Sequence, residues 1–239
     1  MSLWQIKPES SDGLRLSMSG CDVDQAKSLL DCRLSNGLRC NPYLQRLRMA
    51  RYSHDWFGAH RPDWDTWLPA WIAAREKAGP VTLLEIGVYE ARSAVWLGGT
   101  LTHTDSRLVA VDPWLVLYFG TSAPEYKARA MANIAEAGLT DRIDIRQVKS
   151  DDFFADNDAS FDLCWVDGDH HYEQAKKDIA NAMACTKPNG MVLVDDCYCD
   201  TGDTHHSPWY AQVYQAMDEA TAEAGGFTRR GNAAVWVNA

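Results

Sequence analysis

The feature that most constrains the fold is a regular alternation of short apolar segments with helical segments between residues 81 and 194. The apolar segments are only four to six residues long, which suits a buried strand better than a helix. Strands that alternate with helices form a mostly parallel sheet covered on both faces. We predict strands at 81–86, 108–111, 143–148, 161–166 and 191–194, and helices at 93–101, 125–137 and 172–185.

The region before the first predicted strand is less regular. Apolar residues at helical spacing predict a helix from residue 64 or 65 to residue 77, and Pro69 is a second candidate for its first turn. The first fifty residues contain no repeat and no low-complexity tract. We therefore treat the start of the chain as an N-terminal extension whose role the sequence does not define.

The region after residue 194 predicts a different arrangement. We predict a polar loop at 197–208 and a helix at 209–224, followed by two strands at 227–230 and 233–237. Gly231 and Asn232 fit a tight turn between antiparallel strands. The predicted fold class is therefore α/β: a doubly wound, mostly parallel, seven-stranded Rossmann-like sheet that ends in an antiparallel hairpin.

Charge and composition narrow the class of partner. A net charge of -10 without a run of Lys and Arg is poorly suited to nucleic acid or to an anionic membrane surface. No apolar run approaches the roughly 20 residues that span a bilayer, and the N-terminus lacks the pattern of a secretion signal. Seven cysteines at irregular spacing indicate reduced thiols. We expect a cytoplasmic protein with a small-molecule substrate, and we leave homo-oligomer formation open.

Residues at the ends of the first two strands predict a nucleoside-type ligand. Gly87 lets the backbone pass close to a ligand, and the amides of the following helix start can receive a carboxylate. Asp112 follows the second strand, where its carboxylate can accept both hydroxyls of a ribose. An NAD(P)-dependent oxidoreductase would share this geometry, but its pyrophosphate needs the pattern G-x-G-x-x-G. Only Gly87 is present here, and the bulky Tyr89 would obstruct a pyrophosphate.

An acidic and histidine cluster follows two later strands. Asp167 comes directly after one buried strand, and Asp195 and Asp196 come directly after the next. Three carboxylates suit a hard divalent cation, with Mg²⁺ as the first choice and Mn²⁺ or Ca²⁺ as alternatives. The competing interpretation is a set of solvated turn carboxylates. His170 is a candidate general base with a helix cap as its alternative role, and we assign no function to His171.

Four segments together resemble the class I methyltransferases: LEIGVYEARS at 84–93, VDP at 111–113, WVDGDH at 165–170 and VDD at 194–196. The nearest likeness is to the group that includes macrocin-type and other sugar O-methyltransferases. The resemblance implies a methyltransferase domain at 54–239 behind an extension at 1–53. It also implies S-adenosylmethionine as methyl donor and a small hydroxylated acceptor such as a sugar. A non-catalytic S-adenosylmethionine-binding module remains an alternative, as does the oxidoreductase.

The same resemblance assigns roles to individual residues. Glu85 and Gly87 border the methionine portion of the cofactor, Asp112 takes the ribose, and Ser150 or Asp151 lies near the adenine. The full predicted cofactor-binding set is Glu85, Gly87, Tyr89, Ser93, Asp112, Ser150, Asp151 and Asp167. In macrocin-type enzymes a matching Asp, an acidic pair and a His form the metal and catalytic site, which corresponds here to Asp167, Asp195, Asp196 and His170. Ala91 departs from the glycine that this group usually has.

Two further sets of residues are given weaker roles. Thiols and imidazoles at 197, 199, 205 and 206 offer zinc ligands, but their spacing matches no standard pair, and we favour a substrate-covering loop. These residues are Cys197, Cys199, His205 and His206. The tryptophans Trp56, Trp64, Trp67, Trp71, Trp114 and Trp209 are predicted core or interface aromatics. Trp114 and Trp209 are also candidates for the wall of an acceptor pocket.

Overall fold

The computed structural model describes residues 52–54, 57, 61–115, 123–197, 208–230 and 233–239, and strands alternate with helices through most of them. The strands are β1 (Thr82–Ile86), β2 (Arg107–Val111), β3 (Ile143–Arg146), β4 (Phe161–Val166), β5 (Thr186–Val194), β6 (Thr228–Arg230) and β7 (Ala233–Val237). The helices are α1 (Arg61–Glu76), α2 (Arg92–Thr100), α3 (Ala123–Ala137), α4 (Ser150–Ala155), α5 (Tyr172–Ala184) and α6 (Pro208–Thr221). A 3₁₀ turn, Ala222–Ala224, follows α6.

The strands form one seven-stranded sheet in the order β3-β2-β1-β4-β5-β7-β6. The first five strands in this order pair in parallel, whereas β7 runs antiparallel to both β5 and β6. The chain passes from β1 to β2 and β3, and then places β4 on the other side of β1. This reversal opens a crevice at the C-terminal ends of β1 and β4, which is where open α/β sheets bind ligands. The predicted doubly wound sheet with its antiparallel end is confirmed.

Helices cover both faces of the central strands, so these strands lack the polar alternation of a half-exposed sheet. All six residues of β4 are buried. On one face, Trp64 of α1 stacks on Trp165 of β4 with ring centroids 4.4 Å apart, and Phe57 and Trp96 pack around them. On the other face, α5 and α6 contribute to the apolar core of the sheet. This packing holds the strand ends in fixed positions.

The first helix starts earlier than predicted. It begins at Arg61, and Pro69 lies in its interior, so the alternative that placed Pro69 in the first turn is wrong. Proline removes one main-chain hydrogen bond from a helix interior. The helix continues through this position because Trp64, Leu68 and Ile72 recur at four-residue spacing and are all buried. Tertiary packing therefore outweighs the local preference of proline.

Two further differences from the predictions concern β3 and β5. Strand β3 ends at residue 146 rather than 148, and the six-residue helix α4 follows it without having been predicted. Helix α4 has no buried residue, so it shows no apolar periodicity. Strand β5 begins at residue 186 rather than 191. Its first half was not predicted as a strand because it contains the sequence KPNG, which is typical of a turn. This half is held by Asn238, the residue after β7, which donates its main-chain amide to Gly190 O at 3.0 Å and its side-chain amide to Thr186 O at 2.8 Å.

Several predictions concern residues outside the described ranges. These are most of the extension at 1–53, Trp56, most of the loop at 197–208 with three of the four candidate zinc ligands, and the turn at Gly231 and Asn232. Among the cysteines that the structure describes, Cys164 and Cys185 are free thiols, and Cys197 is buried. Across the described residues, no helix is both long enough and apolar enough to cross a membrane.

Candidate active site

Main-chain hydrogen bonds place three of the predicted aspartates at the same edge of the sheet. The amides of Asp112, Asp167 and Asp195 donate to the last residues of β3, β1 and β4, at 3.1, 2.8 and 2.9 Å. Each bond extends the parallel ladder by one residue beyond a strand end. The three carboxylates therefore leave the sheet side by side, at the C-terminal edge where β1 and β4 part.

Gly87 lies at the closest approach between the segments that follow β1 and β4. A Cβ atom at this position would lie 1.8 Å from Asp167 O and 2.9 Å from Gly168 Cα. The residue also has a φ of 89°. Both the contact and the conformation require glycine. The close approach observed at Gly87 is to the segment after β4, and its predicted approach to a ligand stays a prediction.

The β1–α2 loop, defined here as residues 87–91, is held in an unusual conformation. Tyr89 and Ala91 have φ values of 51° and 63°, in the left-handed region that non-glycine residues rarely occupy. Asp112 Oδ2 accepts hydrogen bonds from the amides of Val88 and Tyr89, both at 2.9 Å. Trp114 is buried and donates its indole N–H to Tyr89 O at 2.9 Å. Asp112 and Trp114 thus stabilise this loop through hydrogen bonds to its main chain.

Glu85 is a fully buried carboxyl group beside the loop. Ser93 donates its hydroxyl to Glu85 Oε1, whereas Glu85 Oε2 is buried without a hydrogen-bond partner in the structure. Burial raises the pKa of Glu85 well above its usual value; the bond from Ser93 opposes this shift, and the carboxylates of Asp167 and Asp112 add to it. The group therefore favours a proton or a nearby cation.

The predicted acidic and histidine cluster forms around His170. His170 Nε2 lies 3.7 Å from Asp167 Oδ1 and 3.5 Å from Asp196 Oδ2. One ligand atom from each of these three residues lies within 4.8 Å of the others. Asp196 reaches the cluster because its φ of 51° bends the chain away from the sheet. Consecutive strand residues otherwise point to opposite faces, so this bend is what brings it there.

Asp195 has a different environment from its two predicted metal-ligand partners. It is buried, and its Oδ1 accepts a hydrogen bond from the amide of Asp196 at 2.9 Å. The group of closely spaced ligand atoms contains His170 where the sequence predicted Asp195. The structure thus places all four residues near one another, with Asp195 set behind the more exposed Asp167, His170 and Asp196.

The electrostatics of this cluster favour positive charge. Burial lowers the pKa of His170, but the carboxylates of Asp167, Asp196 and Asp195 outweigh that effect and raise the pKa above its usual value. His170 Nε2 is buried without a hydrogen-bond partner in the structure. Tyr210 lies nearby, with its ring centroid 6.4 Å from that of His170, and burial and the same carboxylates raise its pKa.

Residues 84–197, which include the loop and the acidic cluster, match the family described as a methyltransferase domain. This segment is a class I methyltransferase domain. No curated protein matches the chain at a significant level. The match sets aside the alternative of an NAD(P)-dependent oxidoreductase, in agreement with the single glycine of the β1–α2 loop.

Solved structures share the fold of the methyltransferase domain at low sequence identity. A putative caffeoyl-CoA O-methyltransferase from Staphylococcus aureus has a TM-score of 0.58 and 16% identity, and the match covers 91% of this chain and 100% of that one. An O-methyltransferase from Bacillus cereus in complex with SAH has a TM-score of 0.56 and 16% identity, with 90% and 99% covered. The O-methyltransferase TomG from Streptomyces achromogenes, in complex with SAM, has a TM-score of 0.54 and 17% identity, with 92% and 100% covered.

The predicted adenine-side residues of the methyltransferase domain are joined by a polar network. Gln174 Nε2 lies within hydrogen-bond distance of Ser150 Oγ, Asp151 Oδ1 and Asp178 Oδ1, at 3.2, 3.0 and 3.0 Å. Asp178 is buried, and burial raises its pKa to about 6; hydrogen bonds from Ser150 and Gln174 oppose this shift, and the carboxylates of Asp151 and Asp169 add to it. Helix α5 thus holds the start of α4 in place.

Several residues that line or support this site have no distinctive local sequence pattern. Gln174 and Asp178 lie on the polar side of a helical pattern, where side chains are usually solvated. Glu90 is inside a recognised motif but is buried, which its charge did not predict. His171, to which no function was assigned, is exposed and lies edge-on to Trp209 at 4.5 Å between ring centroids. Trp209 therefore lies beside His171, the residue after His170.

Proposed function

We propose that this chain transfers the methyl group of S-adenosylmethionine to a hydroxyl oxygen of a small metabolite, with the help of a divalent cation. The observation that carries the proposal is the crowding of carboxyl groups at one sheet edge. Five of them lie at or near the C-terminal ends of neighbouring strands: Glu85, Asp112, Asp167, Asp195 and Asp196. Carboxylates at such spacing repel one another unless protons or cations intervene. A sulfonium cofactor and a metal ion would supply two positive centres.

The residues around the β1–α2 loop fit the cofactor. Glu85 offers an unpartnered buried oxygen that suits the methionine ammonium, and Gly87 lets the segments after β1 and β4 lie in contact, which brings Asp167 close to the loop. Ser93, at the start of α2, would lie near the methionine carboxylate. Asp112 already accepts loop amides through Oδ2, and a carboxylate has further lone pairs for ribose hydroxyls. Ser150 and Asp151 would border the adenine, and Tyr89 and Asp167 would complete the site.

The acidic cluster fits a hard cation, with Mg²⁺ as the first candidate. Asp167 and Asp196 offer oxygen ligands close together, and Asp195 would join them after a small side-chain rearrangement. When bound, such a cation would orient the acceptor hydroxyl and lower its pKa. His170 Nε2, which has no hydrogen-bond partner, is then the group available to take the acceptor proton.

The acceptor would enter beside His170, Trp209 and Tyr210. An aromatic border suits a ring-shaped acceptor that carries hydroxyl groups. The sequence motifs favour a sugar, through their likeness to macrocin-type enzymes. The similarly folded putative caffeoyl-CoA O-methyltransferase makes an aromatic hydroxyl the second candidate. The two candidate acceptors belong to one chemical class. Each can carry a hydroxyl group next to a second oxygen, and the two oxygens together can bind a cation.

The test is incubation with S-adenosylmethionine, Mg²⁺ and a panel of sugars and aromatic vicinal diols, while S-adenosylhomocysteine is measured. We expect acceptor-dependent formation of S-adenosylhomocysteine and a product that carries the new methyl group on oxygen, identified by NMR with a ¹³C-labelled methyl donor. Methylation only at nitrogen or carbon would contradict the oxygen acceptor. Tight binding of S-adenosylhomocysteine without transfer to any acceptor of this class would instead favour a non-catalytic binding module.

A further inference from the structure

We infer that Glu90 is a positioning residue that holds the β1–α2 loop in its cofactor-binding conformation. The inference rests on the proposed function in one respect, namely that this loop receives S-adenosylmethionine. Glu90 lies in the loop, but its carboxylate and main-chain oxygen accept hydrogen bonds from residues outside the loop. It acts on the cofactor only through the main chain of its neighbours.

Both neighbours of Glu90 have strained backbone conformations. Tyr89 precedes it with a φ of 51°, and Ala91 follows it with a φ of 63°. A Cβ atom makes the left-handed conformation unfavourable, and such residues persist only where the surrounding structure holds them. Glycine would adopt either conformation without this cost. Because one strained residue lies on each side of the buried Glu90 side chain, we infer that this side chain holds both residues in their left-handed conformations.

The contacts of the Glu90 carboxylate are numerous and specific. Its Oε2 accepts the amide of Ser53 at 2.6 Å, and its Oε1 accepts the Ser53 hydroxyl at 2.7 Å and Arg129 Nη1 at 2.8 Å. Only 1% of the side chain is exposed. A buried carboxylate is costly unless it keeps such partners, so the loop cannot relax without breaking them. Asn133 adds a bond to the main-chain oxygen of Glu90 at 2.9 Å.

The same contacts extend to Tyr89. Its hydroxyl lies 3.2 Å from Ser53 Oγ and 3.2 Å from His54 Nδ1, and its ring packs on Tyr126 with centroids 4.5 Å apart. The segment at 52–54 and helix α3 therefore both contact the loop through Tyr89 and Glu90. We call this set of contacts the grip on the loop. Arg129 on α3 contributes the charge that matches Glu90, and the pKa of Arg129 is raised, chiefly by its hydrogen bond to Glu90.

A purely structural role for Glu90 makes a different prediction from a positioning role. If the grip only stabilises the fold, its loss lowers the melting temperature and leaves ligand affinity unchanged. If the grip holds strained residues in place, its loss lowers the fraction of molecules with a binding-competent loop, and the apparent Kd rises by the same factor. In that case a glycine at position 91 restores binding, because it removes part of the strain that the grip had to hold.

The experiment measures the Kd of S-adenosylhomocysteine by calorimetry and the melting temperature without ligand for Glu90→Gln, Ser53→Ala and Glu90→Gln/Ala91→Gly. We expect Glu90→Gln to raise the Kd about tenfold, Ser53→Ala to raise it by a smaller factor, and the double variant to recover most of the lost affinity. Ser53→Ala changes an exposed residue, so it keeps the inference testable if Glu90→Gln folds poorly.

The matched control is Asp162→Asn, which removes another buried charge that pairs with Arg75 and Lys187 at the start of β4. It should lower the melting temperature and leave the Kd unchanged. An unchanged Kd in Glu90→Gln, or a raised Kd that glycine at position 91 does not restore, would overturn the inference. Failure of the wild-type protein to bind S-adenosylhomocysteine would instead overturn the proposed function, so the two failures are distinguishable.

Discussion

Replacing His170 with alanine should lower kcat for methyl transfer by roughly 10²–10⁴-fold, the usual contribution of a positioned general base. His170 Nε2 lacks a hydrogen-bond partner in the structure and lies within 3.7 Å of the carboxylates of Asp167 and Asp196. It is therefore placed to meet an acceptor hydroxyl held at the acidic cluster. The measurement is the steady-state rate with the best acceptor from the panel, together with the Kd of S-adenosylhomocysteine.

The Kd should remain close to the wild-type value, because His170 is not among the residues expected to hold the cofactor. A loss of kcat without a loss of cofactor affinity separates a chemical role from a structural one. His171→Ala is the matched control, since it removes the neighbouring imidazole, which is exposed and bonds to Asp169. Wild-type turnover in His170→Ala would mean that the proton leaves by another route.

The second large effect concerns the divalent cation. Excess chelator should abolish methyl transfer, and added Mg²⁺ should restore it, because the proposed cation held by Asp167 and Asp196 orients the acceptor hydroxyl and lowers its pKa. Asp196→Ala should lower kcat by on the order of a thousandfold, about 4 kcal/mol, in line with the several kcal/mol that a Lewis-acidic cation contributes. Rates are compared at saturating S-adenosylmethionine, so that a change in cofactor affinity does not contribute.

Asp144→Ala serves as the control for the second prediction. Asp144 is an exposed carboxylate on β3 that pairs with Arg146, and its loss should leave both the rate and the response to chelator unchanged. Full activity in excess chelator, combined with wild-type rates in Asp196→Ala, would remove the cation from the mechanism. The acidic cluster would then act only through its charge on His170 and the cofactor.

The order of elements and the edge that carries the site could be predicted because they depend on patterns that are local in sequence. Buried strands read as short apolar runs, and the residue after each run is placed by the main-chain ladder. Asp112, Asp167 and Asp195 could therefore be assigned to one edge before their contacts were known. A special backbone role for Gly87 could also be expected, but its contact with the main chain of Asp167 joins two segments that are distant in sequence and was not predicted.

The remaining features depend on contacts between distant residues. The grip of Ser53 and Arg129 on Glu90 joins positions that lie 37 and 39 residues away along the chain, and neither partner has a distinctive local pattern. The position of Asp196 beside Asp167 and His170, with Asp195 set behind them, depends on the left-handed backbone at Asp196, which the sequence does not reveal. Helix α4 was missed because it has no buried residue and so no apolar period.

The central claim is that a divalent cation binds beside the methyl group of S-adenosylmethionine at the ends of β1, β4 and β5. Its most direct test uses Mn²⁺, whose unpaired electrons broaden nearby NMR signals, and S-adenosylmethionine labelled with ¹³C in the reactive methyl group. Adding Mn²⁺ to the wild-type complex should broaden the methyl signal, and excess Mg²⁺ should reverse the effect. Asp196→Ala should still bind the cofactor but lose the broadening. A methyl signal that Mn²⁺ leaves unchanged in the wild-type complex, or broadens equally in Asp196→Ala, would contradict the account.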